Sequence, residues 1–423
     1  MSEARRWPRV AWDRDDAPAP REVLVASAIL ALACILFFHG YEIFNFTLSI
    51  DEELNLGGET ALDYLQQGRW AVALRTWLLM ADTTVPIAAI ATGLALYAAA
   101  FVLLVRHFRI KRWQAVAVAA PVFFGFPVLV YDVAFSNIAL TLGLGSLAAA
   151  LALLAADTPS RSRLLLAGLA IAFATALYQS LFYLVLVFFT ADLVRRVWPG
   201  DAPLDAAARK LVLWYCAVIL AGLVLYFLIS FALLASFNVR LIYVTIYLKP
   251  EIAGSDPAGV VASTAAEIGN FLAGTNKAFL HHAAYYRIFM ALVAALLVWR
   301  VAATARRSPS LAFAVGLLLL AIVAAPFLQH PLNGGHMPYR TLLALPAALA
   351  LPTLFAGEFS PPRLLTFILI PLAGLVAIEF SWISNRQYYG GHWALERDTA
   401  VANQIVDRIG RLRPNQNPYT VAF

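Results

Sequence analysis

The sequence predicts an all-α polytopic membrane protein, with about 11 transmembrane helices and external helices lying in the membrane interface. Three observations predict it. Apolar residues make up 61% of the 423 and charged residues only 13%, against about 25% charged in soluble domains. The apolar residues gather in runs of about 20, the length that crosses a hydrocarbon core. Arg and Lys concentrate in short loops between alternate pairs of runs, as the positive-inside rule requires.

Residues 1–21 are polar and of mixed charge, with no small-residue cleavage site, and read as a cytoplasmic tail. Single spans are expected near 22–44, 85–105, 113–133, 137–156, 211–236, 288–303, 309–328, 341–357 and 363–382. The segment 164–194 is flanked by Arg161 and Arg163 before and by Arg195 and Arg196 after. If both ends are cytoplasmic, the chain must go out and return, so two short helices are expected, turning at Tyr178–Ser180. "RHFRIKRW" (106–113) is the strongest inside marker. The N-terminus is then inside and the C-terminus outside. The chain divides into the tail 1–21, a transmembrane domain 22–382 and an external tail 383–423. Inside loops are short and basic. Outside segments, above all the loop 45–84, are long and chemically rich.

The net charge of +6 follows from those loops and gives no reason to expect a nucleic-acid partner. Cys34 and Cys216 fall in apolar runs and read as small hydrophobes, not as a disulfide or zinc site. No Gly-rich phosphate loop is present, which disfavours an ATP-driven machine.

The chemistry-bearing residues lie in the outside segments. "SIDEELNLGG" (49–58) sets Asp51, Glu52 and Glu53 just past the first span. The stretch 57–84 repeats Leu and Trp at helical spacing and reads as one or two interfacial helices broken near Gly68. Its "GRW" (68–70) puts Arg69 at the surface beside the acids. Asp132 ends the third expected span, and Tyr178 and Gln179 sit in the "YQS" turn. "QHPLNGGHMPYR" (329–340) joins His330, His336 and Arg340 with two glycines that permit close backbone approach. The segment 237–287 is basic and aromatic, with His281 and His282. The tail sequence "ERDTAVANQIVDRIGRL" (396–412) has a helical pattern and is expected to pack back on the outer segments. Each candidate has a bland counterpart. Asp51 and Glu52 read equally as loop carboxylates, Arg340 as an interfacial snorkelling arginine, Asp132 as a helix end in water, and Gln179 as a satisfied turn.

The acids after the first span, "GRW" within twenty residues, the central "YQS" and the tail "SNRQYYGGHWALERDTAVANQIVDRI" (384–409) together resemble one family. It is the bacterial type II glucosyltransferases that decorate O-antigen, members of the larger C-type class of polytopic glycosyltransferases. The resemblance implies a multi-pass protein of the bacterial inner membrane with a periplasmic active site. It implies a polyprenyl-phosphate-linked sugar donor, glucose above all, and a glycan acceptor such as O-antigen. A carboxylate would take the acceptor's proton, and arginine would grip the leaving phosphate. Carried onto this chain, Asp51 is the favoured base with Glu52 as helper, and Arg340 and Arg69 are the phosphate residues. Asp132, Tyr178, Gln179 and His336 are candidates for substrate binding. The family pattern expects an acidic pair, whereas this chain has Asp-Glu-Glu, which leaves the base open between Asp51 and Glu52. Adjacent carboxylates also suit Mg²⁺ or Mn²⁺, but no cofactor or metal is expected. The alternative is a transporter or flippase of a lipid-linked sugar. It is disfavoured because the spans carry almost no charge at mid-membrane, where a transporter keeps its site.

Overall fold

The computed structural model of the chain describes residues 18–45, 47, 61–79, 86–198, 206–242, 256–280, 283–334 and 338–412. Among them every regular element is helical. In order these are α1 (Arg21–Phe44), α2 (Ala61–Gln66), α3 (Trp70–Leu79), α4 (Pro86–His107), α5 (Trp113–Gly125) and α6 (Leu129–Val133). There follow α7 (Ser136–Ala155), α8 (Arg161–Leu177), α9 (Leu181–Val197), α10 (Ala206–Ser236), α11 (Pro257–Leu272), α12 (Ala284–Ala305) and α13 (Pro309–Ala324). The short α14 (Gln329–Leu332) and a 3₁₀ turn at Tyr339–Thr341 precede α15 (Leu345–Phe359). The last helix, α16, begins at Pro362, passes through a π-helical turn at Leu365–Leu369 and continues over Ile370–Leu412.

All eleven expected apolar segments are helical, but only seven of the described helices are long and apolar enough to cross a membrane: α1, α4, α7, α10, α12, α13 and α16. The other four are shorter for identifiable reasons. Tyr178–Ser180 makes the expected turn between α8 and α9, which have 17 residues each. Helix α5 stops at Gly125 because Phe126 precedes Pro127 and adopts ψ 124°, away from the helical region. The expected span 113–133 therefore divides into α5 and the separate α6. Helix α15 is buried at every position from Leu345 to Gly357, and α5 is buried from Val118 to Gly125. These two apolar helices form the centre, and the longer helices surround them.

Small residues set the close crossings. A side chain at Gly93 of α4 would collide with the backbone of α7 at Ala139, and one at Gly143 of α7 would collide with Gly93. Gly222 of α10 meets Ile171 of α8 in the same way.

Polar bonds fix one end of the bundle. Arg195 Nε donates to the Phe108 carbonyl at 2.9 Å, Trp214 Nε1 to Ala156 at 2.8 Å and Arg112 to Ser360 at 2.6 Å. Arg300 donates to the Phe359 carbonyl. Buried Asp192 of α9 accepts from Tyr215 and pairs with Arg196, while His107 Nε2 lies 3.0 Å from its Oδ1. These bonds gather the basic loops expected to be cytoplasmic, so "basic end" describes them structurally.

The opposite end carries α2, α3, α6, α11, α14 and the Tyr178–Ser180 and Tyr339–Thr341 turns. Gly68, at φ +73°, breaks the interfacial pair α2–α3 where a break is expected. The tail departs from expectation. Helix α16 crosses the proposed boundary at 383 without interruption, and Glu396 to Arg408 are all exposed, with no described residue covering them. Glu379 in its middle accepts from the Tyr285 and Tyr286 amides at 3.2 and 2.9 Å, capping the start of α12.

Candidate active site

The site is built at the end opposite the basic loops. Asp132 is fully buried, and neither carboxylate oxygen has a hydrogen-bond partner among the described residues. A buried carboxylate lacking such partners is costly. Burial pushes its carboxyl well above the usual carboxylate range, and the charge of Arg340 opposes this only in part. The turn bearing Arg340 packs against α6. Aromatic contacts hold that turn in place: the Tyr339 ring lies 4.8 Å from Phe279, and Phe279 lies 5.4 Å from Tyr131, the neighbour of Asp132. Sequence reading placed Asp132 and Arg340 in separate outer segments, and the fold brings them together.

A second buried acid was missed. Glu42, in the last turn of α1, is fully buried, and its Oε1 accepts the Thr47 amide at 3.3 Å. Thr47 lies four residues before Asp51 in the chain. The available signal was a lone acid inside an apolar run, which at membrane depth is functional by default. Beside it, His39 has Nδ1 2.7 Å from the Tyr388 hydroxyl and Nε2 2.8 Å from the Phe124 carbonyl. The His39–Tyr388 bond ties α1 to α16, and α6, which carries Asp132, packs against both of them.

The remaining candidates form a neighbouring cluster. The Arg69 guanidinium lies 4.3 Å over the Tyr178 ring, a cation–π contact. Gln179, read equally as a partner for sugar hydroxyls and as a turn residue, donates from Nε2 to the Gln67 carbonyl at 2.7 Å, and the Tyr226 hydroxyl donates to Gly68 at 3.1 Å. Gln179 thus clamps the α2–α3 turn that presents Arg69. Helix α3 then runs towards the α6–α7 corner, where Arg75 donates to the Asn137 carbonyl at 3.2 Å and its Oδ1 at 3.4 Å. Asp51, Glu52 and His336 lie outside the described residues, as do His281 and His282.

A family model described as glucosyl transferase GtrII matches residues 40–356. The chain belongs to this family. Comparisons with curated proteins and with solved structures returned no match. The GtrII match opens at Gly40, takes in Glu42, Arg69, Asp132, Tyr178, Gln179 and Arg340, and ends within α15. The protein is therefore a membrane glucosyltransferase, as the acidic, "GRW" and "YQS" motifs implied, and this favours transferase chemistry over the flippase alternative.

Proposed function

We propose that this GtrII glucosyltransferase moves glucose from a polyprenyl-phosphate carrier to a glycan acceptor such as O-antigen, at the periplasmic face of the bacterial inner membrane. The observation that carries the reading is Asp132: a fully buried acid with no hydrogen bond to either oxygen among the described residues, in the field of Arg340. An anionic leaving phosphate suits an arginine, whose planar fork binds two oxygens at once. An acceptor hydroxyl suits the acids, because it must lose a proton as it attacks.

The reaction is a single inverting displacement. The acceptor oxygen bonds to the sugar's C1 as the C1–O bond to phosphate breaks. The hydroxyl proton passes to a carboxylate, and the polyprenyl phosphate leaves with the bonding electron pair. Asp51 is the base in this reading with Glu52 beside it. Asp132 orients the acceptor, and Arg340 and Arg69 hold the phosphate. His336, in the same loop as Arg340, contacts the sugar.

The test is transfer by purified protein in nanodiscs, from labelled polyprenyl-phosphate glucose to lipopolysaccharide. Asp132→Asn and Asp51→Asn are each expected to cut turnover by about 10²–10⁴-fold, the usual size of a positioned acid or base. Wild-type turnover in both variants would remove this mechanism. No transfer by the wild type from that donor, with transfer from a nucleotide-sugar instead, would remove the donor assignment.

A further inference from the structure

The "GRW" and "YQS" motifs meet in the fold, and each holds a residue whose hydrogen bond is not yet made. Gln179 Nε2 donates to the Gln67 carbonyl at 2.7 Å, and the Arg69 guanidinium lies over the Tyr178 ring. These contacts account for two of the three residues in "YQS". Ser180 is the third. It occupies the N-cap of α9, where a serine side chain ordinarily accepts a backbone N–H. Here it caps nothing. The first amides of α9, those of Leu181, Phe182 and Tyr183, close instead on the Tyr178, Gln179 and Ser180 carbonyls at 2.9, 3.1 and 3.1 Å. The hydroxyl is thereby released from its usual duty. Ser180 is only 2% exposed, and its Oγ has no hydrogen-bond partner among the described residues.

Trp70 repeats the pattern from the other motif. It follows Arg69 directly, opens α3 and sets its ring 6.3 Å from Phe173 of α8, the helix that Tyr178 terminates. Its indole Nε1 is buried with no described acceptor. An indole N–H and a guanidinium only donate, and a hydroxyl can donate. The corner therefore offers donors and one positive charge, and the N-terminal end of α9 adds its partial positive charge. Asp132 is the converse, because its two oxygens without partners are carboxylate atoms. A sugar hydroxyl both gives and takes a hydrogen bond. A set made of donors beside a cation suits an anionic oxygen, to which hydrogen bonds are strongest.

We propose that Ser180 and Trp70 are phosphate-binding residues of the transferase: the Ser180 hydroxyl and the Trp70 indole N–H donate to the phosphate oxygens of the lipid-linked donor, beside the Arg69 guanidinium. This deepens the transfer reaction assigned above and rests on its donor. The chemistry recognised is a lipid phosphate ester, so membrane phospholipid headgroups are the competing source.

Binding of polyprenyl phosphate, the leaving product, tests it on the full-length protein in phosphatidylcholine nanodiscs, with neither sugar nor acceptor present. The dissociation constant is expected to rise about tenfold to a hundredfold in Ser180→Ala and in Trp70→Phe, the range for a hydrogen bond to a charged group. Polyprenol, which lacks the phosphate, is expected to bind wild type and variants alike. Without ligand, Ser180→Ala is expected to melt at or above the wild-type temperature, because it removes a buried hydroxyl that has nothing to bond. Unchanged affinity for polyprenyl phosphate in both variants overturns the proposal. So does an equal weakening towards polyprenol, the mark of a packing role. Displacement of polyprenyl phosphate from the wild type by phosphatidylglycerol at equal mole fraction would assign the corner to bulk headgroups and overturn it too. Failure of the wild type to transfer glucose from its polyprenyl phosphate, beside Ser180-dependent binding of polyprenyl phosphate, would count against the reaction and leave this site standing.

Discussion

Asp132 carries opposite consequences for stability and activity. An acid buried without hydrogen-bonding partners destabilises the fold unless a ligand compensates. Asp132→Asn is therefore expected to keep or raise the melting temperature while abolishing transfer, measured by a thermal shift on the nanodisc protein beside the activity assay. A fall in both would mark Asp132 as structural. Arg340 has a different signature. Arg340→Lys keeps the charge and loses the two-pronged grip on phosphate, so donor KM is expected to rise about tenfold, a difference of about 1.4 kcal/mol. An unchanged KM would mean that Arg340 serves only Asp132. Both residues could be picked out from sequence as polar groups at the ends of apolar runs. Their proximity could not, because 207 residues of chain separate them and only packing of α6 on the Tyr339–Thr341 turn joins them.

At the scale of elements, the α2–α3 turn is the most sharply specified. Gly68 adopts φ +73°, and a Cβ there would lie 2.8 Å from the Tyr226 hydroxyl and 3.3 Å from Gln179 Nε2. Gly68→Ala thus meets both left-handed backbone strain and a clash. It is expected to cost about 1–2 kcal/mol from backbone strain alone, read as a lower melting temperature, and to displace Arg69 enough to raise donor KM. Normal stability and KM would show that the turn relaxes freely. Sequence patterning located this break, the α8–α9 turn and ten of the eleven apolar segments as single helices, since Gly, Pro and apolar periodicity are local signals. It misjudged the third, where Pro127 ends α5 early. It expected a span over 363–382 and a helical pattern over 396–412, and these form one helix that runs on through Gly390 and Gly391.

The whole molecule is held at the basic end by a buried ion network unrelated to the chemistry. Asp192→Leu removes the buried partner of Arg196, which keeps the more exposed Asp157, and strips the Tyr215 hydroxyl of its acceptor. Breaking one side of such a pair costs about 3–5 kcal/mol. The expected outcome is a large fall in melting temperature, with donor KM unchanged in whatever fraction stays folded. A KM shift would instead couple the two ends. Orientation is tested with single cysteines in a background where Cys34 and Cys216 are replaced by serine. A membrane-impermeant maleimide is expected to label His392→Cys in spheroplasts and Ser308→Cys only after permeabilisation. The reverse pattern would invert the assigned topology.

The sequence by itself determined that this is a helical membrane protein, which ends of its helices are basic, and which family it belongs to. Run length, charge placement and short motifs are all properties of contiguous residues. Only the tertiary structure decided the composition of the site. Glu42 and His39 look like parts of a span, and Tyr388 like part of a tail. They meet because α1, α6 and α16 converge, and a single carbonyl, that of Phe124, dictates where the histidine keeps its proton. Hydrogen-bond direction depends on what stands opposite in space, and that information is absent from the order of residues along the chain.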